Sequence, residues 1–546
     1  GRIPFRGRDI PVQYFTIEED SCREVSDEGH LITFRTDRLS TPLSETVTAP
    51  EMRTPQEVAE VCELAGRLAR VTGKVRRGLG SARQDVNVSV TGGRRVELKG
   101  VSRIASIPKL VHNEALRQAR LLGIREHLQI LGLSPETIDG GSQNATVLFR
   151  ESRAPLLRRA AAEGQTIRVA VIRGGRRTLR AQTQPGILFA QELSGRVRVI
   201  ACLDAPVNLF IRDEDHGIGL ARHHWEERRS PELLGPSRDE WQRLARRVGA
   251  SDEDGLVLVW GSERDTLTAA REIRERVLEA LEGVPNETRM PMPEGRTDFE
   301  RILPGPDRMY PDTDLPPMPI GEARLERIRL SLPDPPWVRE AKLRKMQIPG
   351  HTARRLSLSP HYALFDEMTA EGAPRKWRML VAWLLTEVLV ALRRKGVPVD
   401  ELSRDDLRTV LLTARRGRVQ REALPLILER LARVRECLTP AFGPAQKDGA
   451  VRSRPPRRDD ENSRAVLEAI LVEEFPMPSD GDPAQEATAA QIADLLRPTL
   501  RLEFSSAPAR ERHLMRRVMQ RYRGIVAGCS INRLVREWMK ANPQPS

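Results

Sequence analysis

The sequence predicts a multidomain α+β protein in which an antiparallel, β-rich first region carries an inserted α+β module and is followed by helices. The chain has 546 residues, more than one hydrophobic core usually organises, so we expect several domains. Apolar and polar residues alternate between residues 11 and 50, which is the period of a half-buried strand. From about residue 325 to 438 apolar residues recur at helical spacing, which predicts packed helices.

Strands open the predicted β-rich region, in the segments VQYFTIEED, HLITFRTDR and PLSETVTAP. A helix should follow, because Thr54 can cap it, Pro55 suits its first position and Glu57 completes a capping box. We expect this helix to end at Gly73. A hairpin and a second helix follow, the helix running roughly from Pro108 to Leu122 and closed by Gly123.

The inserted module is indicated by short strands that alternate with helices. The predicted strands are TIRVAVI, RVRVIACL and GLVLVWG, and the predicted helices are RDEWQRLARRVG and TLTAAREIRERVLEALEG. Residues 285–320 are rich in proline, which disfavours helix and predicts an extended segment crossing back to the first region.

The second half of the chain is predicted to be helical. Ser403 and Asp406 form a capping box before an apolar-periodic run. Residues 446–463 carry turn formers and dense charge, as a linker would, and a helical tail follows. The predicted domains are therefore residues 1–147, 148–284, 285–324, 325–445, a linker at 446–463, and 464–546.

Charge and cysteine content limit the possible functions. The formal net charge is +13, mostly from arginine, which binds phosphate bidentately and favours a polyanionic partner such as nucleic acid. An arginine-rich genome is the alternative explanation. None of the five cysteines lies in a CxxC pair, so the sequence suggests neither a zinc knuckle nor a disulfide framework, and a reducing compartment fits. The longest apolar run, Trp377–Leu392, contains Glu387 and is too short for a membrane span, so it predicts a buried helix.

The segment RGLGSARQDVNVSVTGGRRVELK (77–99) predicts a hairpin whose register can be tested. A three-residue loop at Thr91–Gly93 pairs Val88 with Val96 and Val86 with Leu98, which leaves one apolar face. The opposite face then carries three polar pairs, namely Asp85 with Lys99, Asn87 with Glu97, and Ser89 with Arg95. Its glycines match neither a P-loop nor a dinucleotide-binding loop.

Two interpretations of this polar face remain open from the residues alone. It could be an ordinary solvated sheet face, or it could line a cleft that carries chemistry. The same choice applies to Glu18, within the acidic cluster of IEED, and to Glu45 in the next strand, which could together bind Mg²⁺ or simply face solvent. His223, His224 and Glu227 lack the spacing of a metal motif and are assigned to the surface.

Three segments taken in order resemble the cradle domain of the GatB/GatE family of tRNA-dependent amidotransferases. They are TIEED, FRTDRLSTPLSETVTAPEMRTPQE and GLGSARQDVNVSVTGGRRVELKGV. The module at 148–284 resembles the insert that the GatE branch shares with bacterial aspartyl-tRNA synthetases, known as a GAD domain. RMYPDTDLPP (308–317) resembles the GatE-type return into the cradle, and the tail resembles a YqeY-like domain.

The resemblance implies the cytoplasmic conversion of glutamate-charged tRNA(Gln) to Gln-tRNA(Gln). ATP and Mg²⁺ would serve to phosphorylate the γ-carboxylate, and ammonia from an asparaginase-like partner, GatD, would displace the phosphate, in a heterotetramer of two GatD and two GatE chains. By motif match, Glu18 and Glu45 would be catalytic Mg²⁺ ligands. The other matched residues would line the same cleft: Asp85, Asn87 and Lys99 as catalytic residues, and Arg83, Ser89 and Glu97 in nucleotide binding.

The sequence also departs from the family pattern. The family's first strand, whose Glu-x-His supplies a metal-ligand histidine, has no counterpart here, so we expect little or no activity from these residues alone. Ser44 and Thr46 are polar where the family has apolar residues, and RDEDHGIGL (212–220) departs from the usual insert text. The rival interpretations are a GatB-type protein, and a non-catalytic tRNA-binding protein that kept the fold.

Overall fold

The structure is a computed structural model. It describes residues 1–543 apart from 77, 79–80, 206, 213–216, 219–233, 303–315, 371, 439–461, 475–490, 502–505 and 523–527. It is a mixed α+β protein, as predicted, and divides into two compact units. The first comprises residues 1–66 and 76–319, and the second comprises 67–75 and 320–546. The His223–His224 pair, most of RMYPDTDLPP and most of the predicted linker lie outside the described residues.

The described strands all belong to the first unit and form five sheets. In chain order they are β1 Arg2–Phe5, β2 Arg8–Glu19, β3 Arg23–Glu28, β4 Leu31–Arg35, β5 Pro42–Thr48, β6 Gln84–Val88, β7 Val96–Val101, β8 Asp139–Asn144, β9 Thr166–Ile172, β10 Gln182–Gln184, β11 Ile187–Leu188, β12 Leu209–Ile211, β13 Gly217–Ile218, β14 Gly255–Gly261, β15 Glu287–Pro291 and β16 Thr297–Ile302.

The N-terminal strands form an antiparallel sheet in the order β1-β2-β5 and a separate β3–β4 hairpin. The three strands expected here are confirmed as β2, β4 and β5, and β1 and β3 are additional. The tip of the β3–β4 hairpin reaches the inserted module, where His30 Nε2 lies 3.0 Å from Asp265 Oδ1 and the Gly29 amide donates to Asp204 at 2.7 Å.

A four-stranded sheet in the order β16-β15-β7-β6 combines the predicted hairpin with the proline-rich return segment. Its strands are antiparallel except for β7 and β15, which run parallel. The first part of the return segment is therefore extended, as predicted, and forms two strands of the sheet over Glu287–Pro291 and Thr297–Ile302.

The inserted module is built on a five-stranded sheet in the order β13-β12-β14-β9-β8. Strand β8 already belongs to this sheet although it precedes residue 148, where the module was expected to begin. TIRVAVI and GLVLVWG are strands, as predicted.

The predicted strand RVRVIACL is wrong, because its first five residues end a helix, Phe189–Ile200. The Gln191 side chain accepts from the Leu188 amide at 2.7 Å and caps that helix. Leu193 and Val197 lie on one helical face and are fully buried. The alternation of Val and Arg fits a strand, but tertiary burial favours the helix.

Eight α-helices belong wholly or largely to the described first unit. They are α1 Pro55–Val71, α2 Ile107–Ile130, α3 Pro135–Ile138, α4 Pro155–Ala162, α5 Arg176–Arg180, α6 Phe189–Ile200, α7 Arg238–Val248 and α8 Glu263–Glu282. As predicted, Thr54 caps α1, since its hydroxyl accepts from the Glu57 amide at 3.2 Å. The end predicted for α2 at Gly123 is wrong: the helix continues to Ile130, and Gly132, at φ +68°, follows it.

The second unit is helical in its described residues, as predicted. Its helices are α9 Glu322–Ser331, α10 Pro336–Lys345, α11 Gly350–Ser357, α12 Tyr362–Met368, α13 Arg375–Trp383, α14 Leu389–Arg394, α15 Arg404–Arg415, α16 Leu424–Leu438, α17 Asn462–Glu474, α18 (491–496), α19 Ala507–Tyr522 and α20 Gly528–Ala541. The Ser403–Asp406 capping box is present. The predicted buried helix consists of α13, a π-helical turn at Leu384–Val388, and α14.

Candidate active site

Two carboxylates share one face of the N-terminal sheet. Thr16 of β2 lies opposite Glu45 of β5, and Glu18 lies opposite Leu43. Glu18 and Glu45 are therefore diagonal neighbours on one face, with Cα atoms about 7–8 Å apart. The Thr16 hydroxyl donates to the Glu18 carboxylate at 3.1 Å, which orients it.

This pair suits Mg²⁺, which proteins bind through one or two carboxylates while phosphates and waters complete its octahedral shell. Glu18 is half-buried and Glu45 is exposed, so solvent reaches both carboxylates. The part of the chain that the structure describes contains no group of three or more His, Cys, Asp or Glu side chains that could hold a metal ion.

The hairpin has the predicted register over its paired residues. Val86 pairs with Leu98, Val88 with Val96 and Asn87 with Glu97. All four apolar side chains in these pairs are buried, so one face of the hairpin belongs to the core. The opposite face is polar, as the register predicted.

The two ends of this polar face differ from the simple ladder. A bulge lies beside Asp85, yet Lys99 Nζ remains 3.9 Å from Asp85 Oδ2, and the Gly100 amide donates to Asp85 Oδ1 at 2.7 Å. The predicted pairing of Ser89 with Arg95 is wrong, because β6 ends at Val88 and β7 starts at Val96. Between them a β-turn forms in which the Gly93 amide donates to the Val90 carbonyl at 2.9 Å.

The return strands extend the polar face with residues that were not predicted. Thr288 of β15 lies beside Glu97 and opposite Arg301 of β16, so Asn87, Glu97, Thr288 and Arg301 form one row across four strands. Thr288 is fully buried in its central strand, whereas Asn87 and Arg301 at the two edges are exposed. Proline density indicated an extended segment but gave no means of pairing residue 288 with residue 97.

Glu300 is another residue that was not predicted. It lies at the bulge between β15 and β16, and its Oε2 is buried without a hydrogen-bond partner. Burial raises the pKa of the Glu300 carboxyl, which the nearby Lys99 ammonium opposes. Glu300 therefore adds a poorly solvated acid near the more exposed Asp85–Lys99 pair.

An ion pair joins the hairpin to the sheet that carries Glu18 and Glu45. Arg83, just before β6, has its Nη2 3.3 Å from Asp20 Oδ1, and the Arg38 guanidinium lies 3.5 Å from the other oxygen. Asp20 follows β2 directly, and its amide donates to the Thr41 carbonyl before β5 at 2.8 Å. Arg83 thus has a positioning contact in addition to any ligand contact.

Behind the core face of the hairpin lies a buried ionic network of three carboxylates and three guanidinium groups. Its members are Glu114 and Arg117 of α2, Glu192 of α6, Arg276 of α8, and Glu287 and Arg289 of β15. Arg117 occupies its centre, where it donates to Glu192 at 2.7 Å, Glu114 at 3.0 Å and Glu287 at 2.5 Å. No residue of this network was predicted, because its members come from elements up to 175 residues apart in sequence.

A cavity of about 270 Å³ lies elsewhere, in the inserted module, between β8, β9 and α8. Its lining is mainly apolar and includes none of the predicted site residues. Among the described helices, none combines the length and apolar content that crossing a bilayer requires.

Sequence comparison with known proteins identifies the family. The family model described as the GatB/GatE catalytic domain matches residues 2–326. Three similar proteins, each named as the E-type component of glutamyl-tRNA(Gln) amidotransferase, come from Sulfolobus acidocaldarius, Pyrococcus horikoshii and Pyrobaculum calidifontis.

The identities are 31%, 31% and 36%, over 78%, 79% and 73% of this chain. The matched parts cover 65%, 64% and 62% of those proteins, so the chain spans slightly less than two thirds of their length.

Proposed function

This chain belongs to the GatB/GatE family, and on that premise we propose that it takes part in ATP-dependent conversion of Glu-tRNA(Gln) to Gln-tRNA(Gln). Its substrate is tRNA(Gln) charged with glutamate, and an asparaginase-like partner, GatD, supplies the ammonia in a heterotetramer of two GatD and two GatE chains. The observation that carries the proposal is the Arg83–Asp20 ion pair, which joins the sheet carrying Glu18 and Glu45 to the hairpin that carries the polar face.

The reaction needs a site that brings several anions together. The γ-carboxylate of the tRNA-bound glutamate attacks the γ-phosphorus of ATP and ADP leaves. Ammonia then attacks the acyl carbon of the acyl phosphate, inorganic phosphate leaves, and the nitrogen loses a proton. Mg²⁺, when bound, offsets phosphate charge in this chemistry.

The chain's own residues support these steps by position and charge. Glu18 and Glu45 would hold Mg²⁺, and the Lys99 ammonium would offset phosphate charge, with Asp85 3.9 Å away to orient it. The Asn87 amide and the Ser89 hydroxyl offer hydrogen bonds to phosphate oxygens. Arg83, already fixed by Asp20, and Glu97 border the nucleotide.

A non-catalytic tRNA-binding protein is the second candidate. It is favoured by one observation, the formal net charge of +13, which suits a polyanionic partner whether or not the protein is catalytic. The three relatives compared above agree with the GatE expectation over the GatB-type alternative.

Glu45→Ala separates the two candidates. We expect it to reduce Gln-tRNA formation at least a hundredfold, since one of two metal ligands is lost, while tRNA affinity changes less than twofold. The assay combines the complete protein containing this chain, its ammonia-producing partner, Glu-tRNA(Gln), ATP and Mg²⁺, and it measures Gln-tRNA by its amino acid. Affinity is measured separately by filter binding.

Glu19→Ala is the matched control, because Glu19 is the next carboxylate on β2, is exposed and points to the opposite face. Glu19→Ala should leave Gln-tRNA formation and tRNA affinity within twofold of the parent values. Lost tRNA affinity with unchanged amidation in Glu45→Ala would refute the catalytic role and favour the binding protein.

A further inference from the structure

Gln118 of α2 holds the loop that carries Ser89. Its side chain is fully buried. Its Nε2 donates to the Val88 carbonyl at 3.0 Å, and its Oε1 accepts from the Val90 amide at 3.1 Å. One side-chain amide therefore binds the backbone on both sides of Ser89, where the ladder between β6 and β7 has ended.

The same amide explains Gly93. A Cβ at Gly93 would lie 2.7 Å from Gln118 Oε1 and 3.2 Å from the Val90 carbonyl oxygen. Gly93 does not adopt positive φ, unlike Gly92 at +77°. Glycine is therefore required at position 93 for space, since the Gln118 amide occupies the place of a side chain.

The buried ionic network fixes the orientation of this amide. Gln118 Nε2 also donates to Glu114 Oε1 at 3.1 Å, and that oxygen accepts from Arg117 at 3.0 Å. A flipped amide would place its oxygen against two acceptors, the Val88 carbonyl and the Glu114 carboxylate. The network thus leaves one orientation, in which the oxygen faces the Val90 amide.

We propose that Gln118 is a positioning residue that sets the Ser89 loop for phosphoryl transfer. This inference rests on the proposed function and deepens it, because Gln118 is too buried to touch substrate and acts through the backbone of Val88 and Val90. A misplacement of about 1 Å caused by a substitution away from the reacting atoms can cost about a hundredfold in rate.

Gln118→Met tests the role, since methionine keeps the length of the side chain and removes all three hydrogen bonds. Gly93→Ala tests it independently, because the new methyl group displaces the amide while Gln118 itself is intact. Each should lower kcat for Gln-tRNA formation tenfold or more, with KM for tRNA within twofold. The double variant should be no slower than the slower single variant, because both act on one contact.

Leu128→Ala controls for a general loss of stability. Leu128 is a fully buried residue of the same helix, ten residues beyond Gln118, and it belongs to the same core. Even if Leu128→Ala lowers the thermal unfolding temperature as much as Gln118→Met and Gly93→Ala do, or more, its kcat should stay within twofold of the parent value. Hydrogen exchange gives a second readout: the Val90 amide should exchange faster in Gln118→Met and Gly93→Ala, and at an unchanged rate in Leu128→Ala. Should Gln118→Met fail to fold, Gly93→Ala carries both measurements.

Two results would overturn the inference while the proposed function stands. In the first, the parent protein is active and the kcat of Gln118→Met stays within twofold of the parent value; if Gln118→Met does not fold, the same result in Gly93→Ala counts. In the second, Leu128→Ala lowers kcat as much as Gln118→Met and Gly93→Ala do. A parent protein that forms no Gln-tRNA would instead overturn the proposed function, and this role for Gln118 with it.

Discussion

The polar face of the hairpin and the buried ionic network contain the same kinds of residue and differ in what those residues can bind. On the polar face, Asp85 and Lys99 lie 3.9 Å apart with about a third of each side chain exposed. In the network, the Arg117 and Glu114 side chains are fully buried and directly hydrogen-bonded. Groups on the polar face can exchange partners with a ligand, whereas in the network Arg117 already donates to three carboxylates that are closed off from solvent.

Burial and pairing therefore decide the role of these charges. A buried carboxylate keeps its charge only if cations or hydrogen bonds compensate for lost solvation. Glu114 shows how close that balance is, because burial raises the pKa of its carboxyl although Arg117 acts in the opposite direction. We therefore expect the network to govern stability and the polar face to govern chemistry.

The largest effect expected from this comparison is on stability, in Arg117→Met. The substitution removes the centre of the network and leaves Glu192 and Glu287 short of a cation. Breaking a buried ion pair by removing one partner costs about 3–5 kcal/mol, which we expect urea unfolding to register as a loss in the free energy of unfolding.

The control for Arg117→Met is Arg94→Met, whose guanidinium pairs with Glu282 but is 55% exposed on its side chain. An exposed pair contributes about 0–1 kcal/mol, so this variant should unfold close to the parent. Equal losses in the free energy of unfolding in Arg117→Met and Arg94→Met would contradict the view that the buried network governs stability.

Sequence patterns predicted the polar face better than the network, for a physical reason. Because side chains alternate between the two faces of a strand, only one register of the hairpin places all four of its apolar side chains on one buried face: Val86, Val88, Val96 and Leu98. The register therefore also fixed which residues lie on the polar face. The Ser89–Arg95 pair was wrong because the loop backbone is held by Gln118, a residue on a different element.

The features that sequence patterns did not predict depend on contacts between segments that are distant in sequence. Thr288 and Arg301 joined the row only through the parallel pairing of β15 with β7, and no local pattern specifies that partner. Helix α2 continues through Gly123 because packing of Leu121, Ile124 and Leu128 outweighs the helix penalty of about 1 kcal/mol for one glycine. The chemical role of Glu18 and Glu45 came from the family resemblance, since two carboxylates on a strand are equally typical of a solvated face.

A smaller effect, on chemistry, is expected from Arg301→Gln. Arg301 ends the row at the edge strand β16 and is exposed, so its loss should change the free energy of unfolding by less than about 0.5 kcal/mol. Because a guanidinium on this face offsets phosphate charge, we expect kcat/KM for ATP to fall about tenfold, which corresponds to about 1.4 kcal/mol. Steady-state kinetics of Gln-tRNA formation at varied ATP measure it.

Arg103→Gln is the control for Arg301→Gln, as another exposed arginine of the first unit, placed after β7 and off the row. Its kcat/KM for ATP should match that of the parent. If Arg301→Gln lowers stability by several kcal/mol and leaves catalysis unchanged, the row belongs with the network and not with the polar face.

The smallest effect is expected at Glu300, which is intermediate between the two regions because it lies beside the polar face yet has a buried, unpartnered oxygen. Burial raises the pKa of its carboxyl in the folded protein, so the folded state binds this proton more readily than the unfolded chain. The stability associated with the protonated form is present below the ordinary glutamate pKa of about 4.3 and is lost as pH rises through the raised folded value. Glu300→Gln stays neutral and should therefore stabilise the protein at pH 7, with a gain that shrinks as pH falls toward that ordinary value.

Urea unfolding across this pH range measures the gain in the free energy of unfolding. Glu282→Gln, whose side chain is 62% exposed, is the control and should show no gain. A loss of stability at pH 7 in Glu300→Gln would mean that attraction to Lys99 outweighs burial, and that Glu300 is already paired as the network residues are.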